Sequence, residues 1–378
     1  MGEHESFMEE ALRLARQGRG WTSPNPVAGA VVVQGGKIVG RGWHREFGGP
    51  HAEVLALGEA RQSARGAVMY CTLEPCNHTG KTPPCVKALI RAGIAKVVLG
   101  AKDPNPVAAG GATALRAAGI TVSTGVCEEQ CRKQNAPFFK YIATGLPLVT
   151  VKWAMSADGK IATARRDSKW ITQAEARALV HRLRAQHDAV LVGIGTVLSD
   201  APLLNCRLAD AGGGGRAAKQ PRRVILDTFA RTPVDAPLWT AQDAGPVIVA
   251  CGDGAPRERV AALRAKGADI IQCAAEQDRL PMKEVLAALG KRGVLSVLVE
   301  GGGETLGAVV DAGLADMAYV FVAPTVIGGR GGIPAVGGTG VSRMAEAHAL
   351  RGSSVHTLGQ DVLMCGALSS WEYERLQG

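Results

Sequence analysis

Three side chains that can bind a metal ion lie near the start of the chain, each directly after a proline. His51 follows Pro50, Cys76 follows Pro75 and Cys85 follows Pro84. Zinc prefers histidine and cysteine ligands, and three protein ligands leave one coordination position open, as in catalytic zinc sites. A chain that uses these side chains together must fold three separate segments around a single point.

Glu53 lies two residues after His51, in the first turn of a predicted helix. At this spacing both side chains reach one pocket, so Glu53 can move protons without binding the metal. Zinc lowers the pKa of bound water toward neutrality, which supplies a nucleophile. The pattern therefore predicts His51, Cys76 and Cys85 as metal ligands and Glu53 as the catalytic residue. The alternative is a buried cysteine pair beside a surface histidine.

Length and composition favour an enzyme with two globular domains. The chain has 378 residues, of which 46% are hydrophobic and 20% charged, enough for two buried cores. The net charge of +9 is scattered, and aromatic residues make up 4%. A nucleic-acid surface would instead show a basic stripe or stacking aromatics, so the charge fits anionic small substrates better.

Targeting signals are not expected in this sequence. No stretch approaches the roughly 18 apolar residues of a membrane span, and the N-terminus is acidic where a secretory signal would be basic. Nine cysteines are unevenly spaced rather than arranged as a disulfide framework. We therefore expect a reduced, cytoplasmic protein.

Helical and strand patterns alternate along the whole chain, with a boundary predicted at residues 144–147. Before it, helices are predicted at 5–17, 51–60, 86–92, 112–118 and 127–143, and strands at 27–33, 38–42, 68–73, 96–101 and 120–123. After it, strands are predicted at 148–154, 189–192, 223–227, 247–250, 270–273, 295–300 and 318–322, with helices near 173–186, 256–266, 281–290 and 304–313. Glycines 212–215 predict a surface loop. Both parts are thus α/β.

Two glycine-rich turns follow strands in the second part, at residues 193–196 and 300–305. Glycines at the start of a helix let backbone N–H groups approach a phosphate. Neither turn has the Walker or the Rossmann spacing. Together they suggest a dinucleotide site of another type.

Seven segments of the chain form a recognisable set: residues 24–26 (Pro-Asn-Pro), 50–53 (Pro-His-Ala-Glu), 72–85, 103–106 (Asp-Pro-Asn-Pro), 156–160 (Ser-Ala-Asp-Gly-Lys), 169–172 and 299–302. Together they resemble the bifunctional deaminase/reductase family of riboflavin biosynthesis. The general zinc-deaminase signature places two residues between its cysteines, whereas eight separate Cys76 from Cys85 here. The longer loop is typical of this family.

The resemblance implies the fold, the reactions and the cofactors. Residues 1–145 would form a cytidine-deaminase-like α/β/α sandwich, and residues 146–378 a dihydrofolate-reductase-like α/β domain. The first would hydrolytically deaminate a diaminopyrimidinone ribosylamine phosphate with one zinc ion. The second would reduce the ribosyl group to ribityl with NADPH. A homo-oligomer that binds neither nucleic acid nor membrane is also implied.

The resemblance also implies binding residues by position. Substrate residues are Asn25, His44, Lys81, Asp103 and Asn105 in the first domain, and Lys152, Ser168, Arg184, Leu204, Arg207 and Glu300 in the second. Cofactor residues are Ala154, Trp170, Thr196, Asp200, Thr228, Gly302, Gly303, Glu304, Thr305, Leu306, Gly307 and Ala308. We expect Arg184 and Arg207 to pair with the substrate phosphate, and Lys81 to lie over the deaminase pocket. Lys152, Asp200 and Glu300 are all open candidates for orienting the sugar and supplying a proton.

Two other functions remain open from the sequence. One is a nucleic-acid deaminase with a fused accessory domain, which the low aromatic content and scattered charge disfavour. The other is a non-catalytic module stabilised by zinc, which would need a fourth protein ligand and would leave Glu53 without a task.

Overall fold

The computed structural model describes residues 2–208 and 217–369. They separate into two units that divide between Thr144 and Gly145. Glycines 212–215, predicted to form a surface loop, lie outside the described residues. Each unit has its own sheet and its own apolar core, so each is described separately.

The first unit is built on a five-stranded sheet with the order β2-β1-β3-β4-β5. Strand β1 is antiparallel to β2 and β3, while β3, β4 and β5 run parallel. The strands are β1 (Gly29–Gln34), β2 (Lys37–Trp43), β3 (Val68–Leu73), β4 (Lys96–Ala101) and β5 (Thr121–Thr124). The helices are α1 (Glu3–Ala15), α2 (Ala52–Ala60), α3 (Cys85–Ala92), α4 (Gly111–Ala117), α5 (Glu128–Gln134) and α6 (Ala136–Thr144).

Helices cover both faces of this sheet. Alternate residues of β1 point to opposite faces: Ala30 and Val32 pack into a core with α2, α3 and α4, whereas Gly29 faces α1. A Cβ on Gly29 would lie 1.9 Å from the backbone oxygen of Ala11, so glycine is required for this close approach. The predicted hairpin is confirmed, and Gly35 and Gly36 both have the positive φ of a two-residue turn.

The second unit contains a nine-stranded sheet with the order β11-β10-β9-β8-β12-β6-β13-β16-β15 in the described residues. The first seven strands of this order, from β11 through β10, β9, β8, β12 and β6 to β13, run parallel to one another. At the other edge of the sheet, β16 is antiparallel to both β13 and β15. Strands β7 and β14 pair separately. The strands are β6 (Leu148–Ser156), β7 (Lys160–Ala162), β8 (Ala189–Gly193), β9 (Arg222–Leu226), β10 (Val247–Gly252), β11 (Asp269–Cys273), β12 (Ser296–Val299), β13 (Met317–Ala323), β14 (Ile333–Pro334), β15 (Arg351–Leu358) and β16 (Asp361–Ala367).

The helices of the second unit are α7 (Ala174–Gln186), α8 (Ile194–Asp200), α9 (Arg257–Ala265), α10 (Met282–Lys291) and α11 (Gly303–Asp311). Val190 and Val192 of β8 pack into one core with α9, and Ala189 and Leu191 pack into another with α10 and α11. The central strands are therefore buried on both faces, as is usual for parallel sheets. Over residues 2–208 and 217–369, no helix has the length and apolarity that crossing a membrane requires.

The structure corrects the sequence expectation in two places of this unit. Residues 193–196 were expected to form a glycine turn, but Gly193 ends β8 and residue 194 begins α8 directly. Strands β7, β14, β15 and β16 were not predicted from the sequence. Strand β15 is exposed along most of its length, so its sequence carries no alternation of apolar and polar residues.

Candidate active sites

The fold brings His51, Cys76 and Cys85 to one point in the first unit. His51 precedes the first residue of α2, Cys76 follows the end of β3, and Cys85 is the first residue of α3. His51 Nδ1 lies 3.5 Å from Cys76 Sγ and 3.3 Å from Cys85 Sγ. All three candidate ligand atoms lie within 4.8 Å of one another.

This donor set fits a zinc ion. Tetrahedral coordination with Zn–N of about 2.0–2.1 Å and Zn–S of about 2.3 Å places nitrogen and sulfur about 3.5 Å apart, close to the distances in this site. The Cys85 thiol, and then the His51 ring, hydrogen-bond to the sulfur of Cys76 and hold the pKa of Cys76 well below its ordinary value. Zinc binds the thiolate form of cysteine. In the described residues these three side chains form the one candidate metal cluster.

Glu53 is buried in the first turn of α2, beside the three ligands. Burial raises the pKa of its carboxyl, while the charge of His51 acts in the opposite direction. A carboxyl held within reach of the metal site can both accept and return a proton. The position and the burial of Glu53 therefore suit a proton carrier.

A cavity of about 170 Å³ opens in front of this cluster. The five side chains that the resemblance implies as substrate contacts all line it: Asn25, His44, Lys81, Asp103 and Asn105. His51, Glu53 and Cys76 line it too, whereas Cys85 is buried behind it. The structure thus brings the whole predicted deaminase set to one pocket.

Polar contacts fix several of these side chains. His44 Nδ1 lies 3.1 Å from the carbonyl oxygen of Pro50, and His44 Nε2 lies 3.1 Å from Asn25 Nδ2. Burial lowers the pKa of His44. Asp103 Oδ1 accepts the N–H of Asn105 over 2.8 Å, and burial raises the pKa of Asp103 to about 6. The pocket therefore offers both neutral and charged hydrogen-bonding groups.

Three further side chains support this pocket and were missed by the sequence reasoning. Glu74 accepts the N–H groups of Asp103 and Ala112 over 3.2 and 2.8 Å. Thr82 Oγ1 lies 3.4 Å from His51 Nε2, and the Lys81 ammonium lies 3.9 Å above the ring of Phe47. Glu74 and Thr82 belong to the 72–85 motif, so the sequence held a signal that could have found them. Nothing in the sequence pointed to Phe47.

A second cleft lies in the other unit, at the carboxyl ends of β6, β8 and β12. Lys152, Ala154, Ser168, Thr196, Asp200, Glu300 and residues 302–306 line it, as the resemblance implies. Trp170, Arg184, Leu204, Arg207, Thr228, Gly307 and Ala308 are not among its lining residues. The predicted reductase set is therefore only partly gathered around this cleft.

Glu300 forms the charged centre of the cleft. Arg184 donates two hydrogen bonds to its carboxylate, from Nε over 2.6 Å and from Nη2 over 2.9 Å. Lys152 Nζ lies 3.8 Å from the same carboxylate. Burial alone would raise the pKa of Glu300, but Arg184 and Lys152 outweigh it and hold the pKa at about 2. Glu300 is therefore ionised at neutral pH.

The other predicted reductase residues are placed as follows. Trp170 is 71% exposed, with the Arg177 guanidinium over its ring. Leu204 is buried and Arg207 is exposed. Thr228 is half-buried, and its carbonyl oxygen accepts the N–H of Gly252. Gly307 packs against residue 337, where an added Cβ would lie 2.3 Å from a backbone carbon. Gly307 therefore serves close packing in this structure.

The start of α11 borders the cleft. Gly302 has φ −64° and ψ 174°, and its N–H donates to Thr196 Oγ1 over 3.3 Å. A Cβ added to Gly302 would meet only Thr196 Oγ1 within 4 Å, at 3.7 Å, so this position faces open space. The first N–H groups of a helix lack partners within the helix and attract phosphates. The residues therefore fit a phosphorylated cofactor.

Comparison with known proteins identifies both units. Residues 1–101 match the family model of the cytidine and deoxycytidylate deaminase zinc-binding region. Residues 147–364 match that of the RibD C-terminal domain. The chain is 41% identical to the riboflavin biosynthesis protein RibD of Actinobacillus pleuropneumoniae, over 95% of this chain and 93% of the relative. The chain belongs to the RibD family.

Solved RibD structures agree with this assignment along the whole chain. Acinetobacter baumannii RibD is 36% identical, with a TM-score of 0.86, and the match covers 97% of this chain and 99% of that one. A second match, with a TM-score of 0.83 and the same identity and coverage, is a protein of Thermotoga maritima. It is described as a diaminohydroxyphosphoribosylaminopyrimidine deaminase/5-amino-6-(5-phosphoribosylamino)uracil reductase. The expected two-domain α/β fold and the deaminase/reductase class are confirmed. Like its RibD relatives, the chain is a bifunctional enzyme of riboflavin biosynthesis.

Proposed function

We propose that residues 1–145 deaminate a diaminopyrimidinone ribosylamine phosphate, and that residues 146–378 reduce the ribosyl group of the product to ribityl with NADPH. The observation that carries the first half is the His51, Cys76 and Cys85 cluster with Glu53 buried beside it. The second half rests on the charged cleft at the start of α11. A nucleic-acid deaminase would not require the second cleft, and a non-catalytic zinc module would leave Glu53 without a task.

In the deaminase pocket, His51, Cys76 and Cys85 would hold one zinc ion, which when bound lowers the pKa of a water molecule at its open position. Glu53 would accept the two protons of the attacking water in turn, and would deliver the first to the ring nitrogen and the second to the leaving amine, which departs as ammonia. Asn25, His44 and Asp103 would orient the pyrimidine ring through hydrogen bonds. The Lys81 ammonium would bind the substrate phosphate.

In the reductase cleft, the N-terminus of α11 would bind cofactor phosphate through its first N–H groups. Ala154, Thr196 and Asp200, which line the cleft, would complete the cofactor site. Because Arg184 is engaged with Glu300, we assign it to holding that carboxylate toward the sugar hydroxyls. Arg207, which is exposed, would contact the substrate phosphate.

Lys152 is the group that we assign to proton donation in the reductase. Glu300 is ionised and cannot supply a proton at neutral pH, and Asp200 is exposed at the end of α8. The Lys152 side chain is largely buried beside Glu300, and this burial lowers its pKa. A lysine with a lowered pKa gives up its proton more readily. Reduction at C1′ of the ribosyl group breaks its bond to the ring oxygen, and the Lys152 ammonium would donate a proton to that oxygen as negative charge develops on it.

Turnover of the pyrimidine ribosylamine phosphate by the zinc-loaded full chain tests this function. Without NADPH we expect release of one ammonia per substrate and no further change. With NADPH we expect its absorbance to fall in proportion to the ammonia released. Ammonia release from cytidine in a polynucleotide, with none from the ribosylamine phosphate, would overturn the assignment.

Two further properties are proposed, the first from the cysteine content and the second from the family resemblance. We propose a reducing, cytoplasmic location, which suits the nine free thiols of the structure. We also propose that the chain forms a homo-oligomer. Sedimentation equilibrium of the purified protein would contradict this if it gave the mass of a single chain.

A further inference from the structure

One wall of the reductase cleft is formed by a glycine-rich segment, residues 325–340, here called the strap. Seven of its residues are glycines, and its residues Ile333, Pro334 and Gly337 line the cleft. The N–H of Gly337 donates to the carbonyl oxygen of Gly303, at the start of α11, over 2.9 Å. The strap therefore contacts the helix turn that borders the proposed cofactor site.

A glycine-rich segment does not hold one conformation by itself. Glycine loses more conformational freedom on ordering than any other residue, and much of the strap is exposed. Its shape must therefore be imposed by the residues that surround it.

Asp158 and Lys160 hold the first end of the strap. Asp158 Oδ1 accepts the N–H of Ile327 over 2.9 Å, and Oδ2 accepts that of Gly328 over 2.8 Å. The Lys160 ammonium donates to the carbonyl oxygens of Gly328 and Gly329. The Ser156 hydroxyl and then the two strap N–H groups lower the pKa of Asp158. These contacts account for the Ser-Ala-Asp-Gly-Lys motif, whose residues take no part in the proposed catalysis.

Asp311 holds the other end in the same way. It is the last residue of α11. Its Oδ2 accepts the N–H of Thr339 over 2.6 Å and its Oδ1 that of Gly340 over 3.2 Å. Each carboxylate thus binds two successive N–H groups, one with each oxygen, and hydrogen bonds to a charged acceptor are stronger than neutral ones.

We propose that Asp158 and Asp311 are positioning residues that fix the two ends of the strap and so hold the wall of the NADPH cleft against the start of α11. Neither residue lines the cleft, so each acts through the strap. This inference rests on the proposed reductase function. If the strap forms the cofactor wall, the affinity for NADPH depends on the carboxylates of Asp158 and Asp311, which do not line the cleft.

The test is Asp158→Asn and Asp311→Asn in the full chain, because an asparagine offers one acceptor oxygen where the carboxylate offers two. Asp253→Asn is the matched control, since Asp253 also accepts a loop N–H, that of Gly254, but lies outside the cleft. NADPH binding is titrated by fluorescence. Hydrogen exchange of the strap amides is measured in the cofactor-free protein.

For each strap variant we expect faster exchange at residues 327–328 or 339–340. We also expect an NADPH dissociation constant raised roughly tenfold to 150-fold, the range for losing one hydrogen bond to a charged group. The KM for NADPH should rise in parallel, with kcat at saturating NADPH within about twofold of the parent. The control should match the parent in all measurements.

The possible failures are distinguishable. If the parent binds NADPH and both variants bind it equally well, the strap proposal is wrong and the reductase assignment stands. If the variants show a lower kcat as well as a higher KM, together with a lower melting temperature, the carboxylates are merely structural and the proposal is overturned. If the parent itself does not bind NADPH, the proposed function fails and takes this inference with it.

Discussion

Arg184 and Glu300 form a two-point ion pair in the reductase unit, in which Nε and Nη2 of the guanidinium donate to the two carboxylate oxygens. Both side chains are largely buried, at 13% and 6% exposed. Arg184 Nη1 also donates to the carbonyl oxygen of Asn205 over 2.9 Å. The pair therefore ties α7 to the residue that follows β12, at the floor of the cleft.

Removing one partner of this pair should destabilise the protein more than removing both. We expect Arg184→Met to lower the free energy of unfolding by about 3–5 kcal/mol, because it leaves a buried carboxylate next to Lys152 alone. Arg184→Met combined with Glu300→Gln should recover part of that loss. Chemical denaturation of the four proteins in a double-mutant cycle measures the coupling. Additive losses would show that the two residues do not act as a pair.

The acid sensitivity of the reductase unit should depend on His181. Burial, and then the charges of Arg184 and Arg207, lower the pKa of His181 to about 4, against an ordinary value of 6.5. In the folded state its Nδ1 accepts the N–H of Arg207 over 3.3 Å. As the pH falls from 6.5 to 4 the unfolded chain takes up a proton that the folded chain does not, so stability falls.

His181→Asn should remove that part of the pH dependence. We expect the variant to lose less of its unfolding free energy than the parent between pH 6.5 and 4, with little difference between the two slopes above pH 7. The measurement is urea denaturation at several pH values. His356→Asn, an exposed histidine of β15, is the matched control. Equal slopes for parent and His181→Asn would contradict the prediction.

The residues predicted for the deaminase site gather at one pocket, and two short segments of the chain carry its candidate metal ligands. The motif at 72–85 contains the candidate ligands Cys76 and Cys85 together with Glu74 and Thr82. The Pro-His-Ala-Glu segment contains the third candidate ligand, His51, and Glu53. Each segment joins a strand or helix end whose pattern is clear, such as β3, whose predicted bounds are those observed. The local sequence was therefore enough to predict these elements and to group the candidate ligands.

The reductase site was predicted less well because its contacts join distant parts of the chain. Arg184 and Glu300 are 116 residues apart, and nothing in either segment reveals that they pair. A phosphate contact was therefore expected for Arg184, although its guanidinium is occupied by a carboxylate. The strap was missed for a related reason: Asp158 and residue 327 lie far apart in sequence, and glycine-rich segments give no periodic signal.

Glu53→Gln should abolish deamination and leave zinc binding intact. The amide keeps the size of the side chain but cannot carry the proton, so we expect deaminase kcat to fall by roughly a hundredfold to ten-thousandfold. Zinc content by atomic absorption should equal that of the parent, and reduction of the deaminated substrate should continue. Glu59→Gln, an exposed position of the same helix, is the control. Loss of zinc from the Glu53→Gln variant would instead show that Glu53 is a metal ligand.

Lys81→Ala should weaken substrate binding in the deaminase pocket. Its ammonium lies over the ring of Phe47 at the pocket wall, which favours a charge held in place for an anionic substrate. We expect the deaminase KM to rise about tenfold with unchanged zinc content, as for the loss of one charge-assisted contact. Lys87→Ala, on the exposed side of α3, serves as the control. Unchanged kinetics would show that Lys81 is an ordinary solvated lysine without a substrate contact.

Gly302→Val and Gly307→Ala should separate cofactor binding from folding at the start of α11. The backbone angles of Gly302 are open to any residue, and its new Cβ would have no contact closer than 3.7 Å. Gly302→Val should therefore fold normally and bind NADPH about tenfold more weakly, because the β-branched side chain occupies the space through which a phosphate reaches the helix N-terminus. At Gly307 a Cβ would lie 2.3 Å from the backbone of residue 337, so Gly307→Ala should lower the melting temperature by forcing the strap away. NADPH fluorescence titration and thermal unfolding, run in parallel on both variants, decide the matter. If Gly302→Val binds NADPH like the parent, the phosphates do not lie at this helix start.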